Sequence, residues 1–193
     1  MDSPLSPVLF FALFLFFLSS SPAPADARAS PLVRSVCKQT SDSFHQNYTE
    51  CVKTLSSDAR IQSSASNDLK DLTINVLEIA AETATDTQEL FNSYLRMTES
   101  STKGIQQCAQ SYGSVASAFQ GTLEGVKEDH DMVKYTVAPI ADGIAVCEKA
   151  LSSDGVKLPR TISSRVNLVS LYKDIGFTLT SQLASIRLKG QKH

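Results

Sequence analysis

The sequence is short of residues that interrupt helices. Of its seven prolines only Pro31, Pro139 and Pro159 fall after residue 27, and no Gly or Pro interrupts residues 60–103. Alternating runs of β-branched residues are absent, which argues against a sheet protein. An excess of positive charge is also missing. The whole chain carries a formal charge of −2, and residues 28–193 hold equal numbers of acidic and basic side chains. That balance argues against general nucleic-acid binding, which needs basic residues to neutralise phosphates. After the N-terminal region no apolar run is long enough to span a bilayer, which takes about 20 residues.

The signatures of chemistry are missing too. No G-x-S-x-G, H-E-x-x-H, P-loop or G-x-G-x-x-G motif occurs. The cysteine spacings, thirteen residues between Cys37 and Cys51 and thirty-eight between Cys108 and Cys147, do not match zinc sites. The three histidines, His45, His130 and His193, are far apart, so no metal or other cofactor is expected. His130 lies between Asp129 and Asp131 and reads as part of a solvated helix start, with pH sensing as the functional alternative. Glu78, Glu82, Asp86 and Glu89 follow one helical segment rather than facing each other across a cleft. They read as a solvated or partner-facing surface, and the chain as a binding protein.

What is present begins with Val8–Leu18, an unbroken apolar run followed by small residues at Ala25 and Ala27, or Ala23 and Ala25, for cleavage. Residues 1–27 read as a signal peptide, although the preceding MDSPLSP lacks Lys and Arg; an uncleaved anchor is the alternative. The remainder, 28–193, is a single-domain length and is expected outside the cell (apoplast or cell wall) or in the vacuole, with no membrane segment after signal removal. Asn47-Tyr48-Thr49 is the sole N-x-[ST] triplet, a glycan acceptor in an exported chain.

Apolar residues recur every three or four positions, the helical period. One seam runs Ile105, Cys108, Tyr112, Val115, Phe119, Thr122, Val126; another runs Val133, Val137, Ile140, Ile144, Cys147, Leu151. Leu69, Leu72, Val76, Ile79, Thr83, Leu90, Tyr94 and Met97 mark a long helix over 68–98, and Leu168, Leu171, Tyr172, Ile175, Leu179, Leu183 and Ile186 a last one. Breaks are expected at 56–58, 63–68, 99–102, 128–131 and 152–164, with a kink at Pro139 inside the third helix. The fold class is therefore all-α: an antiparallel four-helix bundle over 66–188, preceded by an N-terminal helical hairpin extension over 30–57 whose turn is SDSFHQ.

Four cysteines allow three pairings. Cys108 and Cys147 hold seam positions on consecutive antiparallel helices, and Cys37 and Cys51 flank the hairpin turn. The pairing 37–51 with 108–147, two disulfides, costs least geometrically. It leaves no free thiol for catalysis.

Several of these residues together resemble the plant invertase inhibitor and pectin methylesterase inhibitor family. They are Cys37-Lys-Gln-Thr40, Cys51 with Leu55, Cys108 with Tyr112, Asp142 ahead of Cys147, and Asn167-Leu168 with Leu171, behind a signal peptide. The resemblance covers residues 32–188. It implies a four-helix bundle with a hairpin extension, the same two disulfides, and an inhibitor rather than an enzyme. The implied partner is pectin methylesterase or acid invertase, blocked by reversible one-to-one occlusion of its substrate cleft. Invertase inhibitors are associated with a Pro-Lys-Phe tripeptide; here the nearest run is Pro159-Arg160-Thr161, so pectin methylesterase is the expected target. Candidate contacts are Glu82, Asp86, Glu89, Gln110, Ser114 and Ser117 on the first two long helices, with Pro159 and Arg160. A secreted four-helix receptor ligand is the alternative from another class. A small-lipid carrier is disfavoured because Val, Ile, Leu and Ala fill the seams.

Overall fold

The computed structural model describes residues 29–63, 68–97, 103–128 and 138–190. The expected signal peptide, the breaks at 99–102 and 128–131, His130, His193, Val133 and Val137 fall wholly or mainly outside them.

Seven helices follow one another among the described residues: α1 Pro31–Phe44, α2 Tyr48–Ser57, α3 Ala59–Ser63, α4 Leu69–Met97, α5 Lys103–Lys127, α6 Ala138–Ser153 and α7 Arg160–Gly190. Local chemistry sets their starts. Ser30 accepts the Val33 amide at 3.2 Å, with Pro31 in the first turn, where its missing N–H costs nothing. Asp68 accepts the Lys70 and Asp71 amides at 2.7 and 3.0 Å and opens α4. The end of α6 is closed by Gly155, whose φ of 62° is a left-handed conformation that suits glycine. Val156 N then donates to Leu151 O at 3.0 Å, closing the final turn.

α4, α5, α6 and α7 make the antiparallel bundle. α4 packs on α5, α5 on α6 and α7 on α4; the α1–α2 hairpin lies against α7. All seven α5 seam positions, Ile105 to Val126, are buried. So are Ile140, Ile144, Cys147 and Leu151 of α6. Burying each large aliphatic side chain contributes about 1.5–3 kcal/mol. Thr83 and Thr122 occupy seam positions because their hydroxyls donate to the carbonyls four residues back, of Ile79 and Ala118.

Several expectations need correction. The hairpin turn is His45-Gln46-Asn47 rather than SDSFHQ: residues 41–44 stay helical, and His45, at φ 58°, caps α1 by donating its amide to Ser41 O. Phe44 is held there by an edge-on contact with Phe177, ring centroids 5.5 Å apart. Pro139 lies in the first described turn of α6, so the expected kink falls at the edge of the described residues. Ser163 and Ser164 belong to α7, which starts directly after Pro159. In the last two turns of α4 the buried residue is Phe91, its ring tilted against Tyr112 with centroids 5.5 Å apart, whereas Met97 is exposed. Ile186 is exposed as well. The short α3 was not anticipated.

Candidate functional site

Two disulfides stiffen the scaffold under the candidate surface. Cys37 bonds Cys51, Cα atoms 5.6 Å apart, and Cys108 bonds Cys147, Cα atoms 4.4 Å apart. The close approach of α5 and α6 also depends on glycines. A Cβ on Gly104 would stand 2.8 Å from Ala150 O, and one on Gly143 would stand 2.6 Å from Val115 Cγ2. Asp154 Oδ2 accepts the Gly104 amide at 2.6 Å, tying the start of α5 to the turn after α6.

Glu82, Asp86 and Glu89 are all exposed on α4, and Gln110, Ser114 and Ser117 are all exposed on α5. Steps of four and three put each trio on one side of its helix. The two helices are neighbours, with Gln88 lying where a Gly113 side chain would begin. Between them runs an open groove of about 310 Å³, lined by Glu78, Ala81, Glu82, Thr85 and Asp86 on α4 and by Gln120 and Leu123 on α5. Three carboxylates on one wall give it an acidic edge. Ser117 turns its hydroxyl back to Gly113 O at 3.0 Å, which leaves its oxygen as an acceptor at the surface.

The acidic edge is held by cations. Arg60 of α3 forms a two-pronged pair with Glu82, Nη1–Oε1 2.8 Å and Nη2–Oε2 2.9 Å, and also bonds Asp58 at 3.2 Å. Hydrogen bonds donated to Glu82 and then to Asp58 push the guanidinium further up from its already high range. The Arg60 hydrogen bond holds the Asp58 carboxyl below the usual carboxylate range. Lys127 closes the other end on Glu78 at 2.8 Å. Arg165, one and a half turns into α7, stands 4.0 Å from Asp86. Pro159 and Arg160 head the same helix, where Pro159 O accepts the Ile162 and Ser163 amides, both at 3.0 Å. The fold thus brings the start of α7 to the flank of the α4 face. Neither Arg60 nor Arg165 is marked by any motif in the sequence. The one local hint was Asp58 two residues before Arg60, a helix-start spacing that says nothing of a partner twenty-two residues on.

Asn47, the remaining candidate, is exposed at the hairpin turn. The hairpin is fixed to α7 by Gln46 Nε2 donating to Asp174 Oδ2 at 2.6 Å and Thr40 Oγ1 donating to Thr178 Oγ1 at 3.0 Å. Among the described residues no cluster of three or more His, Cys, Asp or Glu is arranged to hold a metal ion. No described helix is long and apolar enough to cross a membrane.

A family model described as plant invertase/pectin methylesterase inhibitor matches residues 31–186. The fold is similar to the crystal structure of a pectin methylesterase inhibitor from Arabidopsis thaliana, with a TM-score of 0.55 and 17% identity, covering 79% of this chain and 95% of that one. No curated protein matches the sequence significantly.

Proposed function

Because the chain belongs to the plant invertase/pectin methylesterase inhibitor family, we propose that it is a secreted inhibitor of pectin methylesterase. It acts by laying the exposed α4–α5 face, flanked by the start of α7, across the enzyme's substrate cleft in a reversible one-to-one complex. The carrying observation is the state of Pro159-Arg160-Thr161. The run lacks the Lys and Phe associated with invertase inhibition, and Arg160 and Thr161 are already the first residues of α7. A segment committed to a helix start is a poor probe for a narrow sugar pocket. A broad, pre-stiffened face suits an extended polymer groove, because little conformational entropy is lost on docking.

Inhibition of acid invertase is the second reading, favoured by the basic residue kept at Arg160. The test is titration of purified mature protein against both enzymes. The proposal expects saturable loss of pectin methylesterase activity at an equimolar end point and none for invertase. The reverse pattern would transfer the assignment to invertase, and inhibition of neither would leave the receptor-ligand reading. Recovery of the protein in apoplastic wash fluid tests secretion; retention inside the cell contradicts it.

A further inference from the structure

The turn that joins α1 to α2 carries a feature the inhibitory face does not use. Asn47-Tyr48-Thr49 straddles the start of α2, with Asn47 as its cap at φ −71° and ψ 115°, an extended rather than helical conformation. The two ends of its amide have different fates. Oδ1 accepts the Glu50 amide at 2.9 Å. Nδ2 has no hydrogen-bond partner among the described residues, and both Asn47 and Thr49 are exposed. An N-linked glycan is attached through Nδ2 and leaves Oδ1 in place, so capping and glycosylation can coexist on one side chain.

We infer that Asn47 is N-glycosylated, and that the glycan marks the hairpin tip as a face turned away from the inhibited enzyme. In the transfer, Nδ2 attacks the anomeric carbon of an oligosaccharide carried on a lipid pyrophosphate. The C–N bond forms, the C–O bond to pyrophosphate breaks, the lipid pyrophosphate leaves, and Nδ2 loses one proton. The donor and transferase belong to the export route, so this step rests on the secretion proposed above. The position of the tip supports the second half. Gln46 and Phe44 fasten it to Asp174 and Phe177 of α7; α7 packs on α4, whereas α5 packs on α4 and α6 and is diagonal to α7 in the bundle. A bulky group at Asn47 is thereby assigned to the α7 side, away from Gln110, Ser114 and Ser117 on α5.

The experiment separates cap from glycan. The full chain is expressed through the secretory route of plant cells as wild type, Thr49→Ala, Asn47→Asp and Asn47→Ala, and intact masses are measured before and after enzymatic deglycosylation. Wild type should lose the mass of one glycan, with Asn47 converted to Asp; the three variants should carry none. Thr49→Ala and Asn47→Asp retain a capping side chain, so they should melt together. Asn47→Ala should melt about 2–4 °C lower than those two. A secreted wild-type protein with unmodified Asn47 overturns the glycan, whatever its inhibitory activity. The orientation is tested on pectin methylesterase. Glycosylated wild type and Thr49→Ala should inhibit with Kd values within about threefold. A larger change would overturn the outward placement while leaving the glycan itself established by mass.

Discussion

At the scale of single residues, a buried tyrosine hydroxyl with no reward and two glycines of opposite meaning stand out. The Tyr112 ring is fully buried against Phe91, yet its hydroxyl has no hydrogen-bond partner among the described residues. Burial pushes its ionisation well up, and burial likewise pushes Tyr172 up to about 12 from 10.0. Tyr112→Phe keeps the ring and removes the orphan, so stability should hold or rise by about 1 kcal/mol in denaturant titration. The pH sign follows from linkage. Above pH 10.0 the unfolded chain gives up tyrosine protons that the folded chain still keeps. Stability should therefore fall as pH rises from 10 towards 12, and fall less in Tyr112→Phe. For the glycines, a Cβ on Gly121 meets nothing within 4 Å, whereas one on Gly104 meets backbone. Gly121→Ala should add about 1 kcal/mol through helix propensity. Gly104→Ala should cost about 1–3 kcal/mol through overpacking. Thermal melts of the pair should move in opposite directions.

At the scale of elements, regular seams were legible and ends were not. The α5 seam is legible because its buried residues keep the three-and-four spacing from Ile105 to Val126. In α4 that spacing holds from Leu72 to Thr83 and continues through Thr87, a polar residue in the sequence, to Phe91. Phe91 packs against Tyr112, and counting apolar residues alone passed over it in favour of Leu90. Ser-Asp-Ser before Phe44 looks like a turn locally, but the Phe177 contact, 133 positions away in sequence, keeps it helical. The exposed candidate residues could be read from the sequence as a polar face, while their ion pairs to Arg60 and Arg165 required the tertiary fold.

Two predictions belong here. Replacing Cys37 and Cys51 by Ser removes a constraint worth about 3 kcal/mol on the loop-entropy model. Hydrogen exchange should accelerate across residues 31–57, while α5 and α6, still joined by Cys108–Cys147, keep their protection. Reversing charge on the proposed docking face with Glu89→Lys and Ser114→Arg should weaken pectin methylesterase inhibition at least tenfold, about 1.4 kcal/mol. Both side chains are exposed, so the melting temperature should stay put.

At the scale of the whole molecule, the proposed function requires a polar surface that does not deform. Long helices supply its length, the α5–α6 glycines and disulfide hold that pair close, and the hairpin props α7 from behind. The central claim is that this surface closes a pectin methylesterase cleft, and titration of the enzyme with purified mature protein tests it most directly. Activity should fall linearly to an equimolar end point at enzyme concentrations above Kd, with acid invertase untouched in parallel. Undiminished pectin methylesterase activity at a micromolar excess of correctly disulfide-bonded protein would contradict the claim.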